Sequence, residues 1–194
     1  MGEMRNLYVM LACTTTSVSK MIRHAVKSEY THSAISLDRE LTEMYSFARR
    51  RPHNFLVSGF IHENLDKGVY SWNMDAPCVL YKFEVSEESY NTARAMIDQF
   101  MENYKKHTYN IIGLFAIKYN KELKRKYKYA CSQFVAHVLI ESGVIHDFKK
   151  SIWLTQPDDL IDLEGSEVVY KGPLRGVRDI EQETGNTSDE VVNN

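Results

Sequence analysis

The sequence has only three cysteines in 194 residues, Cys13, Cys78 and Cys131. An odd number at such wide spacing makes no disulfide framework, and a reducing cytoplasm is the expected setting. No apolar run approaches the roughly 18 residues needed to span a bilayer. No sign of charge dominates: 24 Lys and Arg against 26 Asp and Glu leave a net charge of -2. That balance gives no general reason to expect nucleic-acid binding. The spacings C-x-x-C and H-E-x-x-H are absent, so neither a metal nor a cofactor is expected. The opening "MGEMRNLYVMLACTTTSVSKMIR" has too short an apolar core, and no small-residue cleavage site, for a signal peptide. It reads as a buried first strand.

What is present fits a single globular domain. Hydrophobic residues make up 43% and charged residues 26%, an ordinary soluble balance in a chain long enough for its own core. "NLYVMLAC" predicts a strand over 6–13, and "TTTSVSKMIRHAVKS" an amphipathic helix with Val18, Met21, Ile22 and Ala25 at helical spacing. "EYTHSAISLDRELTEMYSFARR" reads as two strands around a polar turn at Asp38–Glu40. The next stretch, "RPHNFLVSGFIHENLDKGVYSWNMDAP", shows no clear period and reads as a long loop with short extended pieces. "CVLYKFEV" alternates as a strand over 78–85. A helix follows with a Ser86 start, Glu87 and Glu88 in its first turn, and Tyr90, Ala93, Met96, Ile97 and Phe100 along its apolar side. "YNIIGLFAIKYNKEL" is either a helix or an apolar loop. A helix from Cys131 ends near Gly143, a good residue for closing one. A turn at Pro157–Leu160 and a last strand around Glu167–Tyr170 complete a domain spanning 1–175. Residues 176–194 read as a flexible acidic tail.

Cys131 allows two readings. It lies on the same stripe as Phe134, Val135, Val138 and Leu139, and free cysteine is among the most buried residue types. It also stands in the first turn of a helix, where unpaired N–H groups and the helix dipole favour an anion. Such a place lowers a thiol's pKa and makes the reactive thiolate. The same N–H groups suit an oxyanion formed when sulfur attacks a carbonyl. The basic run "KELKRKYKY" precedes it, although such runs are usually solvated.

A cysteine nucleophile needs a histidine. His24 and His107 belong to surface-like helical segments, and His53 and His62 to the loop. His137 is on another face of the Cys131 helix, and His146 follows it. His32 differs: it sits in the strand "YTHSAISL", on a face of small side chains that leaves room for a partner. If the hairpin register is odd, Glu43 shares that face and can accept the imidazole's second N–H. Tyr45 is the alternative third residue.

The opening strand and helix, "SKMIRHAVKSEYTHSAISLD", the distant "YACSQFVAHVLIESG" and the trailing "QPDDL" together resemble the circularly permuted papain-like superfamily. Within it the likeness is to the NlpC-type cysteine peptidases, in the YiiX-like branch related to lecithin–retinol acyltransferase. The resemblance covers about residues 6–171. It implies an α+β fold, with an antiparallel sheet packed against helices including that of Cys131. It implies histidine before cysteine in the chain, Cys131 as nucleophile, His32 as general base and Glu43 as the third polar residue. That third place varies among His, Glu, Gln and Asn in the family. The implied activity is thiol hydrolysis, as a peptidase or amidase, through a thioester on a peptide, isopeptide or acyl-ester substrate. A lipid acyltransferase or lipase is the alternative, suited if "NFLVSGFI" or "NIIGLFAI" forms an exposed apolar rim at an anionic membrane surface. A non-catalytic binding module on the same fold is the third reading. Relatives acting on cell walls usually carry a signal peptide, so a cytoplasmic substrate is expected.

Overall fold

The structure is a computed structural model describing residues 3–14, 28–51 and 54–179. The helix expected over 14–28 falls almost wholly outside the described residues, as does most of the acidic tail. Among the described residues, eight strands form one sheet: β1 (Met4–Ala12), β2 (His32–Ser36), β3 (Met44–Arg51), β4 (Asn54–Glu63), β5 (Pro77–Ser86), β6 (Thr108–Tyr109), β7 (Lys128–Tyr129) and β8 (Ser166–Pro173). Their spatial order is β7-β6-β4-β3-β2-β1-β5-β8. Only the short β6–β7 pair runs parallel. Among the described residues, three helices longer than one turn accompany the sheet: α1 (Glu87–Glu102), α2 (Ile111–Lys118) and α3 (Cys131–Glu141). The fold is therefore α+β with a mostly antiparallel sheet.

β1 lies inside the sheet, between β2 and β5. Leu7, Val9 and Leu11 enter one apolar cluster, and Tyr8, Met10 and Ala12 another. Burial on both faces explains why its sequence is a continuous apolar run and not an alternation. The first cluster is the larger. It joins that face of the sheet to α1 through Tyr90, Ala93, Ile97 and Phe100, and to α3 through Phe134, Val135, Val138 and Leu139. Four rings, Phe47, Phe60, Phe100 and Phe134, meet at its centre with centroids 5.1–6.0 Å apart.

α1 begins as its sequence requires. The Ser86 hydroxyl accepts from the Ser89 amide at 3.1 Å, and Glu87 and Glu88 complement the helix dipole. α3 ends before Gly143, whose φ of 71° suits a residue without a side chain.

Two expectations are corrected. The stretch after Arg51 is not mainly loop: Asn54–Glu63 is the ten-residue β4, paired with β3 from Met44↔Glu63 to Arg49↔Ser58. Gly59 breaks the sequence pattern because a side chain cannot fit there. A Cβ would lie 2.1 Å from the His107 carbonyl oxygen, where β6 packs in. The folded body also continues past residue 175. Val177 is buried in the second cluster, and its carbonyl accepts from Arg39 at 3.1 Å.

Candidate active site

α3 opens at Ala130, which has no side chain able to cap it. Gln133 instead reaches back, its Oε1 accepting from the Ala130 amide at 2.9 Å. Its Nε2 donates to the Trp153 carbonyl at 2.8 Å, and the Ser132 hydroxyl donates to the Thr155 carbonyl at 2.7 Å. These bonds fix the helix tip on which Cys131 stands. Cys131 is 1% exposed.

His32 is held just as firmly. Its strand begins where the Asp158 carboxylate accepts from the amides of Glu29 and Tyr30 at 2.7 and 2.9 Å. The "QPDDL" stretch thus ties down the start of the histidine strand. β2 pairs with β1 as far as Ala12↔His32. Its ladder with β3 is only two residues long, Ile35↔Tyr45 and Ser36↔Met44. Beyond it the Ser33 carbonyl is satisfied by the Ser46 hydroxyl at 2.7 Å. The ladder therefore stops beside His32, where α3 approaches.

His32 Nε2 lies 2.7 Å from Glu63 Oε1, and the Cys131 thiol is close enough to the same imidazole for each group to shift the other's titration. Glu63 is 7% exposed, and the His32 side chain 12%. The order is sulfur, imidazole, carboxylate, with the last two residues from β2 and the end of β4.

The electrostatics follow from this order. Burial alone would raise the Cys131 pKa. The hydrogen bond and positive charge of His32 overcome it, helped by the Ser33 backbone and the Tyr109 hydroxyl, and lower the thiol to about 7. Burial would likewise depress His32, but Glu63 and the sulfur raise it to about 10. Both shifts run in the direction that favours thiolate and imidazolium over the neutral pair. Cys78 makes the contrast: buried without such partners, its thiol is pushed up to about 12.

Two tyrosines enclose the trio. The Tyr109 hydroxyl is 3.7 Å from the Cys131 sulfur. The Tyr70 ring lies 5.9 Å from that of His32. Its buried hydroxyl feels the Glu63 charge but makes no well-formed hydrogen bond.

Of the three residues expected, the structure joins Cys131 and His32 but not Glu43. Even-numbered residues of β2 pair with even-numbered residues of β3, so Glu43 falls on the other side from His32. It forms a two-bond ion pair with Arg94 at 2.8 and 3.1 Å. Tyr45 is no substitute, since its ring stacks on Phe60 and His62. Glu63 was missed because its strand reads as loop. The same parity carries through Met44↔Glu63 and places it on the His32 side.

No family model matches this chain, and no curated protein does. Among the described residues, no group of three or more His, Cys, Asp and Glu is arranged to hold a metal. No helix there is long and apolar enough to cross a membrane.

Proposed function

We propose that this chain is a thiol hydrolase, a peptidase or amidase, built on a permuted papain-like scaffold and working through a thioester. The observation that carries the reading is the buried Cys131–His32–Glu63 line, with its thiol lowered to about 7. Cys131 is the nucleophile. His32 holds the proton taken from sulfur, and Glu63 fixes the ring and balances its charge. Attack on an amide or ester carbonyl forms the C–S bond and an oxyanion. His32 then gives its proton to the leaving amine or alcohol as the carbonyl re-forms. Water, activated by the neutral imidazole, hydrolyses the thioester. The first-turn amides of α3 and the Tyr109 hydroxyl, 3.7 Å from the sulfur, are the candidate oxyanion donors. Histidine preceding cysteine in the chain supports the permuted scaffold, and the reading places the enzyme in the cytoplasm.

A lipid acyl substrate is the second reading. Ile112 and Phe115 on α2 are 57% and 48% exposed beside the basic stretch from Lys118, an apolar rim suited to an anionic membrane surface.

Thiolate titration tests the proposal. Iodoacetamide labelling of Cys131, located by peptide mass from pH 5 to 9, is expected to show a midpoint near 7, and His32→Ala to move it towards 9. The midpoint is read instead of the rate, because enclosure slows the reagent equally at every pH. Equal, slow labelling of all three cysteines with ordinary midpoints would overturn the enzyme reading. Flotation with phosphatidylserine vesicles separates the two substrates, since a rim that does not bind them removes the lipid reading.

A further inference from the structure

A second site stands apart from the thiol. A cavity of about 540 Å³ lies between α1, the start of β7 and the His137 face of α3, and shares no lining residue with the Cys131–His32–Glu63 line. Its size falls within the roughly 300–1,000 Å³ of small-molecule sites.

Its walls are rings. Phe100, Tyr127, Tyr129 and Trp153 line it, with the imidazoles of His107 and His137 between them. Tyr129 stacks on His137 at 5.5 Å and lies 5.3 Å from Trp153, while His107 meets Tyr127 edge-on at 5.4 Å. Burial lowers the pKa of both histidines, so they present neutral ring surfaces. Charge comes from Lys124, Arg125 and Lys126, and among the described residues no acidic side chain lines the cavity. Lys124 has one long, exposed ion pair with Glu122 at 3.5 Å, too weak to remove it from service.

The loop carrying these cations is held in an unusual shape. The Arg125 carbonyl accepts from the Lys128 amide at 3.1 Å, closing a turn with Tyr127 in its third place. Tyr127 has φ 61°, a left-handed conformation in which such turns normally use glycine. Its carbonyl, bonded by the Thr108 amide at 3.0 Å, pins it there. A bulky aromatic kept in strained backbone is a mark of functional sites, and here the strain sets its ring on the cavity wall.

We propose that this cavity binds a planar heteroaromatic ring bearing a phosphate, a ligand of nucleoside monophosphate size, with the ring between the aromatic walls and the phosphate on Lys124–Lys126. Flat neutral walls suit a base, which stacks without regard to sequence. A cationic rim without acids selects the anion.

The test uses the full chain with Trp72→Phe, which leaves Trp153 as the single tryptophan reporter. AMP, GMP, CMP and UMP are titrated against its fluorescence, with adenosine and inorganic phosphate as half-ligands. At least one nucleotide is expected to give a saturable change, and each half-ligand to bind at least about tenfold more weakly. Lys124→Ala with Lys126→Ala is expected to weaken the nucleotide about tenfold or more while leaving the circular dichroism unchanged. Cys131→Ser is expected to keep full affinity, which separates this site from the thiol reading. The proposal is overturned if none of the four nucleotides saturates, if the double-lysine variant binds as the parent does, or if Cys131→Ser abolishes binding.

Discussion

Replacing Glu63 by Gln keeps the shape of the carboxylate and removes its charge. Glu63 lies 2.7 Å from His32, and both side chains are largely buried. A buried imidazolium left without its counter-ion is costly, by about 3–5 kcal/mol for comparable pairs. The ring therefore sheds its proton, and the thiolate loses the cation beside it. The Cys131 thiol stands at about 7 against an ordinary value of 9.0. A thiol lowered in this way carries more thiolate at acidic pH than an ordinary one. Glu63→Gln is expected to raise the Cys131 midpoint by about one to two pH units, read from the ultraviolet absorbance of the thiolate or from alkylation. Glu43→Gln is the matched control. It breaks a pair with Arg94 whose side chains are 38% and 40% exposed, worth about 0–1 kcal/mol, and the midpoint should stay put. Equal shifts in the two variants, or none in Glu63→Gln, would refute the assignment of the carboxylate.

The other expectations are simpler to check. Below the Cys131 midpoint the thiol is protonated, so turnover should fall tenfold per pH unit beneath about 7 and level off above it. Tyr109→Phe removes the hydroxyl 3.7 Å from sulfur and should lower kcat more than KM on any ester or amide that is turned over. Phe134→Ala empties the centre of the ring cluster and should cost about 3–5 kcal/mol in denaturant unfolding.

What could be read from the chain depended on local information. The Ser86 cap, the alternation of β5 and the Cys131–Gly143 helix are written in neighbouring residues, and so is the strand carrying His32. The third residue of the site was not legible, because it depends on parity across a hairpin. In the 37–43 connection the Asp38 carboxylate accepts from the Thr42 and Glu43 amides at 2.9 and 2.8 Å, and Leu41 adopts φ 59°. That geometry, and not the polarity of the turn, sets even residues against even. β4 was lost for a different reason: Gly59 serves a close backbone approach from a segment almost fifty residues away. β6 and β7, two residues each, are too short to announce themselves. The choice left open for "YNIIGLFAIKYNKEL" resolves as α2, capped by Asn110 accepting from the Gly113 amide at 3.1 Å.

His32, Glu63 and Cys131 sit on three elements that meet only when β2, β3 and β4 are zipped together and α3 is docked over them. During synthesis, then, the imidazole and carboxylate leave the ribosome long before the sulfur does. Until assembly is complete, Cys131 has the modest reactivity of any free thiol. The lowered thiol pKa arrives together with the finished architecture, so a chain that misfolds keeps an ordinary cysteine. The acid titration of one sulfur atom is, for the same reason, a sensitive gauge of whether the whole sheet has closed.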